Sequence, residues 1–204
     1  MRIRKHILTV FSSLMRGVCK PKVVNNNPDM IDMTVSKPCI MISNHTSITN
    51  GPLLMSLLRG PIVPVVAEDW YQRKEWKRWL DTIGCIPCHR QGIDTAWLKA
   101  AAVAIADGKS ILVFPEGKVR KDGVCNEYKA GFALLSAMTG APVIPITICN
   151  QYSIFHPAKI VIDPAVTIDR SQAHNGQYLA SRSAELRELT EKNKCRYGNR
   201  RSCK

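Results

Sequence analysis

Pro38-Cys39-Ile40-Met41-Ile42-Ser43-Asn44-His45-Thr46-Ser47-Ile48-Thr49-Asn50-Gly51-Pro52 is the stretch from which the rest of this chain can be read. Cys39 to Ile42 is a short continuous apolar run bounded by Pro38 and Ser43, the pattern of a short buried strand. A polar loop follows, and then a second apolar run, Leu53 to Leu58. Pro52 is tolerated in the first turn of a helix, where its missing N–H would have no partner anyway. The pattern therefore predicts a helix over Gly51–Arg59. Asn50, just ahead of Gly51-Pro52, is a suitable N-cap. A histidine pinned in the loop between two core elements can serve as a general base, which makes His45 the first candidate functional residue.

Outward from this stretch, strand and helix patterns alternate. Pro61–Ala67, Cys85–His89, Ser110–Phe114, Ala141–Ile148 and Lys159–Asp163 read as strands. Glu68–Ile83, Thr95–Asp107 and Asn126–Met138 read as helices, and a polar helix starts near Gln177. Ser110–Phe114 is continuously apolar, as expected of a strand buried on both faces of a parallel sheet. Val24–Ser36, with Asn25-Asn26-Asn27-Pro28, is polar and expected to turn before the first strand. The alternation predicts an α/β fold with a mixed, largely parallel central sheet flanked by helices. A length of 204 residues suits a single domain. Within it, residues 1–20 are expected to form an amphipathic helix, 39–165 the core that carries the candidate site, and 177–204 a solvated basic tail.

Charge narrows the partners. Lys and Arg outnumber Asp and Glu by 29 to 16, a net charge of +13, which favours anionic surfaces. Nucleic acid rests on charge alone, since no nucleic-acid-binding motif accompanies it. Ile3, Ile7, Leu8, Phe11, Leu14, Met15 and Val18 recur at helical spacing, flanked by Arg2, Arg4, Lys5, Arg16 and Lys20. That is the pattern of a helix lying in a membrane interface, or of one packed on its own domain. Trp76, Trp79, Leu80 and Ile83 form a second stripe, suited to a membrane interface, an acyl-chain groove or a core. No run approaches the ~20 apolar residues of a spanning helix. Anionic phospholipid and a peripheral or monotopic place on the cytoplasmic face of a membrane are thus expected. Eight cysteines at irregular spacing read as reduced thiols of an intracellular protein. Cys85-Ile86-Pro87-Cys88 with His89 makes zinc conceivable, but no second pair completes a tetrahedral site, so no metal is expected.

The sequence lacks a GxSxG turn, an HExxH helix and a P-loop. What remains is His45 after one strand and Glu116 in the turn after another, with Arg90, Lys118 and Arg120 at neighbouring strand ends. In open α/β sheets, ligands bind outside the carboxyl ends of the strands. A base, an acid and cations could share one cleft that accepts a hydroxyl and a phosphate.

These residues resemble those of the glycerolipid acyltransferases, the lysophosphatidic-acid acyltransferase family. Asn44-His45 with a polar residue five places after the histidine resembles the family's first motif. Gly84-Cys85-Ile86-Pro87-Cys88-His89-Arg90 is similar to its second, Phe114-Pro115-Glu116-Gly117 with following cations to its third, and Val143-Ile144-Pro145-Ile146 to its fourth. The resemblance implies acyl transfer from a thioester, on coenzyme A or acyl carrier protein, to a free hydroxyl of a lysophospholipid such as 1-acylglycerol-3-phosphate, in phospholipid biosynthesis. No further cofactor is implied. His45 would be the base, and Arg90, Lys118 and Arg120 would hold the acceptor phosphate. Glu116 would position the glycerol hydroxyl, or pair as a turn carboxylate with Lys118 or Arg120, and Gly117 would let the backbone approach closely. Two departures stand out. Asn50 replaces the usual Asp that accepts the imidazole N–H, which opens the alternative of a catalytically weakened lipid- or acyl-carrier-binding member. Lys118-Val119 also stands where Thr is usual.

Overall fold

The computed structural model describes residues 13–89, 95–119, 125–153 and 155–198. After a helical turn at residues 13–19 (α1) come β1 (Lys22–Asn25), β2 (Ile40–Ser43), α2 (Asn50–Leu57), β3 (Ile62–Ala67), α3 (Glu68–Tyr71), α4 (Lys74–Ile83) and β4 (Ile86–Cys88). The second half comprises α5 (Ala96–Ala106), β5 (Ser110–Val113), α6 (Gly131–Thr139), β6 (Val143–Ile148), β7 (Lys159–Ile162) and α7 (Gly176–Tyr197).

The strands form one seven-stranded sheet in the order β1-β7-β6-β2-β5-β3-β4. β2 is central, parallel to both β5 and β6. β3 and β4 extend that parallel set, whereas β7 runs antiparallel to β6 and β1 parallel to β7. Every residue of β2, β5 and β6 is buried, because helices cover both faces. Side chains alternate across the sheet. Ile40, Ile42, Ile111, Val113 and Val143 meet α5, α6 and α7 through Ala101, Phe132 and Leu186. Met41, Leu112, Ile146 and Ile148 point the other way, onto Leu53 and Leu54 of α2 and Cys19 at the end of α1.

The mixed α/β architecture matches the sequence expectation, and several details differ from it. β1 runs into the segment read as a polar turn, at Val24 and Asn25. The single helix over Glu68–Ile83 is two, broken at Gln72 and Arg73, where Arg73 adopts an extended conformation. α6 starts at Gly131 rather than Asn126. Of the Trp stripe, Leu80 and Ile83 enter the core, while Trp76 stays 44% exposed in an edge-to-face run with Trp70 and Trp79. The largest difference is the C-terminal segment. The polar helix expected near Gln177 is present, but in place of a solvated tail it runs Gly176–Tyr197 with Leu179, Ser183, Leu186, Thr190, Asn193 and Lys194 buried. Most of the N-terminal amphipathic pattern lies outside the described residues. The part that is described packs on its own domain: the Arg16 guanidinium donates to the Ser56 carbonyl, with Nε at 2.7 Å, and Met15 joins the α2 core.

Candidate active site

β2, β5 and β6 end at the same edge of the sheet, and the loops leaving them build the site. Asn44 fastens the first loop. Its Nδ2 donates to the Ile148 carbonyl (3.0 Å) and its Oδ1 accepts the Ile148 N–H (2.8 Å), so a fully buried side chain prolongs the β2–β6 pairing by one step. His45 follows directly. Its main-chain N–H donates to Glu116 Oε1 at 2.8 Å. Its ring stacks on Phe114, with centroids 4.3 Å apart and planes 22° from parallel. Nδ1 is shielded from solvent, which leaves Nε2 as the candidate base.

Glu116 is 5% exposed. While Oε1 holds His45, Oε2 accepts both the main-chain N–H and the side-chain amide of Asn126, each at 3.0 Å. Burial raises its carboxyl above the usual range, opposed by those hydrogen bonds and by the charge of Lys194. Both oxygens therefore tie loops together: this carboxylate joins the loop after β2 to the segment after β5, and does not make the alternative turn pairing with Lys118. Gly117 has φ +67°, and a Cβ there would meet Lys129 at an ordinary 3.5 Å. The left-handed turn, not a close approach, is what calls for glycine. Lys118 is solvent-exposed beside it.

Asn50 is completely buried and sits in the first turn of α2, where the N-cap position belongs to Thr49. Its amide donates to Thr46 Oγ1 (3.3 Å) and the Asn44 carbonyl (3.4 Å), and its Oδ1 accepts from the Tyr152 hydroxyl (3.3 Å). Asn50 thus neither caps the helix with its side chain nor bonds the imidazole; it braces the histidine loop from behind. Tyr152, from the loop after β6, also bonds Thr49 Oγ1 at 2.9 Å, and burial pushes its phenol up to about 12. Thr46, Ser47, Gln151 and Tyr152 line a cleft of about 310 Å³ beside the histidine loop.

The segment that supplies Asn126 is held in turn by α7. Glu191 Oε1 accepts the Cys125 N–H (2.9 Å), and Arg187 donates to the carbonyls of Asn126 (3.2 Å) and Cys125 (3.4 Å). Buried Lys194 pairs with Glu191 at 3.2 Å and reaches Cys125 Sγ at 3.6 Å. Burial tends to raise the Glu191 carboxyl, but the Cys125 hydrogen bonds and the Lys194 charge outweigh it and leave it lowered. In the second-motif stretch, His89 Nδ1 pairs with Glu68 and the Tyr71 hydroxyl donates to the Cys85 carbonyl (2.7 Å). Arg90 and Arg120 lie outside the described residues. Among the described residues no cluster of three His, Cys, Asp or Glu side chains could hold a metal.

The structure thus brings His45, Asn50, Glu116 and Gly117 to one edge, with Lys118 on the surface beside them. Phe114 of the third motif also belongs to this region, as do Asn126, Lys129 and Tyr152, which were not singled out from the sequence. Tyr152 could have been flagged, because it follows a central strand at the carboxyl edge. Asn126 carries no local signal, as its partner lies ten residues upstream across a turn.

Fold and site together define a class: an α/β protein whose histidine, anchored at the carboxyl edge of the central strand, is suited to take a proton from a hydroxyl. The chain belongs to the Acyltransferase family, which residues 21–149 match. It is 30% identical over 128 residues to the chloroplastic 1-acyl-sn-glycerol-3-phosphate acyltransferase BAT2 of Brassica napus, covering 57% of this chain and 34% of that protein. It is 28% identical over 156 residues to N-acylphosphatidylethanolamine synthase of Arabidopsis thaliana (69% and 54%). It is 26% identical over 127 residues to the human 1-acyl-sn-glycerol-3-phosphate acyltransferase alpha (61% and 44%). The chain spans between a third and about half the length of these relatives. The crystal structure of the 1-acyl-sn-glycerophosphate acyltransferase PlsC from Thermotoga maritima has the same fold. Its TM-score is 0.64 at 17% identity, over 97% of this chain and 84% of that one. Among the described residues no helix is long and apolar enough to cross a membrane.

Proposed function

We propose that this chain transfers a fatty acyl group from a thioester, on coenzyme A or acyl carrier protein, to the free hydroxyl of a lysophospholipid such as 1-acylglycerol-3-phosphate, at a membrane surface. The observation that carries this reading is the double hold on His45: its main chain bonded to Glu116 and its ring stacked on Phe114. Nε2 would remove the hydroxyl proton as the oxygen attacks the thioester carbonyl, an effect of typically ~10²–10⁴-fold. Collapse of the tetrahedral intermediate breaks the C–S bond, and the departing thiolate takes the proton back from the imidazolium. No covalent enzyme intermediate is required. Lys118, with Arg90 and Arg120, would meet the acceptor phosphate, where arginine offers bidentate hydrogen bonds. Glu116 would act by holding the main chain of His45 rather than by touching the glycerol.

Asn50 favours a second reading, a weakened member that binds lipid or acyl carrier protein, since no carboxylate stands at that position to stabilise the imidazolium. One assay separates the two. Purified protein is incubated with labelled acyl-thioester and a panel of lysophospholipids, beside His45→Ala and Asn50→Asp. A product that depends on His45 is expected. Equal inactivity of wild type and His45→Ala on every acceptor removes the enzyme and leaves the binding protein.

A further inference from the structure

The edge that carries His45 continues past β6. Because β7 runs antiparallel to β6 and β1 parallel to β7, the first residues of both strands, Lys159 and Lys22, come to the edge where β2 and β6 end. Lys22 and Lys159 are register partners, and like charges at facing cross-strand positions repel. Arg196 and Tyr197, from the last turn of α7, line the same groove of about 390 Å³, together with Val24 and Val161. Among the described residues no carboxylate lines it. Among the described residues neither lysine has an ion pair. Three cations therefore converge on a concave surface to which the described residues bring no compensating charge.

The last turn of α7 is seated tightly. A Cβ at Gly198 would lie 2.7 Å from the Cys149 carbonyl and nearer still to that of Lys194, so glycine lets α7 close onto the end of β6. That seating brings Arg196 and Tyr197 into the lining of the same groove as the lysines, with the guanidinium 5.2 Å from the ring centroid. The groove joins cations to an aromatic ring and two valines, the surface a phosphorylated nucleoside requires. β1 lies three strands from β2, about 14 Å at the usual spacing. A flexible arm is thus needed to join a ligand here to His45.

We propose that this groove binds the phosphorylated nucleotide end of a coenzyme A thioester while the pantetheine arm extends along the sheet edge to His45. The proposal rests on the acyl-transfer reading, and specifies coenzyme A over acyl carrier protein as the donor.

The test is calorimetric titration of the full chain with coenzyme A and with 3′-dephospho-coenzyme A, alongside steady-state kinetics. Lys22→Ala/Lys159→Ala is expected to bind coenzyme A about tenfold more weakly, as loss of charge-assisted phosphate contacts predicts. It should also raise KM for acyl-coenzyme A with little change in kcat, and lose the preference for the phosphorylated form. Arg196→Ala, at an exposed helix end, should shift KM in the same direction and guards against misfolding of the strand variant. Unchanged affinity and KM in variants with the wild-type circular dichroism spectrum overturn the proposal. It also fails if the variants keep coenzyme A affinity but lose binding to phosphatidic-acid vesicles, since the cations would then serve a lipid headgroup. Wild type that transfers acyl groups from carrier-protein thioesters without binding coenzyme A overturns the groove alone. Wild type that binds coenzyme A through these lysines yet acylates no acceptor overturns the acyltransferase reading alone.

Discussion

Glu116 has two oxygens, and both are engaged by N–H donors from different loops. Hydrogen bonds to a charged acceptor contribute about 1.5–3 kcal/mol, and leaving a buried donor unsatisfied costs about 1–3 kcal/mol. In Glu116→Gln, one end of the side chain becomes an NH2 that must face an existing donor, either His45 N–H or the Asn126 pair. The expected result is a loss of stability of that order and a fall in kcat of about tenfold or more, equivalent to ~1.4 kcal/mol in the barrier, with little change in KM. A fall confined to KM would mean that Glu116 holds the acceptor instead. Because burial raises the folded-state value above the ordinary 4.5, the carboxyl's own contribution is greatest below that value and is lost as pH rises through the raised one. Urea titrations should accordingly show the stability of wild type relative to Glu116→Gln declining as pH climbs through that window; a relative gain would contradict a raised carboxyl. At this scale the sequence made His45, Asn50 and Glu116 legible as residues, because loops after buried strands are where chemistry collects. Their partners were not legible, since Asn126 and Tyr152 meet them only through the fold.

α7 shows why an element can be misread. Its buried face runs Leu179, Ser183, Leu186, Thr190, Asn193, a helical spacing of four and three, but most of those residues are polar. A hydrophobic pattern therefore does not announce it. They are buried because they have partners: Asn193 donates to Asp163 (2.6 Å) and Thr147 (3.2 Å), and Thr190 bonds the Tyr128 hydroxyl (3.0 Å). β1 was hidden for a related reason, as a four-residue edge strand with mostly exposed side chains shows no alternation. α6 starts late because Asn126 bonds the Glu116 carboxylate and the Lys129 N–H bonds the Pro115 carbonyl before the helix can begin. Lys194, 2% exposed and paired with Glu191, joins Arg187 in holding α7 to this segment. Removing one partner of such a pair costs on the order of 3 kcal/mol. Lys194→Met keeps the stem's volume and deletes the charge. It should lower the melting temperature and speed amide exchange at Cys125 and Asn126, and Glu191→Gln added to it should recover part of the loss. Additive losses in the double variant would mean that the two side chains act independently.

Across the whole molecule, charge and exposed apolar surface belong to the same question. The net charge is +13, and such an excess draws a protein to anionic bilayers through interactions that salt weakens over a Debye length of about 8–10 Å. Charge alone gives loose attachment; apolar side chains must enter the interface to make it firm. α1 offers them. Leu14 is 61% and Val18 36% exposed, one helical turn apart, while Met15, Arg16 and the following Cys19 face the domain. The helix therefore has one face fastened to the core, as expected of a helix packed on its own domain, and another turned outward, on which the membrane-interface reading can be tested. Truncating the helix would remove the core contacts along with the outer ones and confuse folding with binding. Leu14→Asp/Val18→Asp alters the outer face alone. On vesicles containing phosphatidic acid, this variant should bind more weakly than wild type at every ionic strength while keeping the wild-type melting temperature. Wild-type binding should itself fall as salt rises. If the variant binds as wild type does, the outer face of α1 does not enter the bilayer; the exposed Trp76 on α4 then becomes the surface to substitute next.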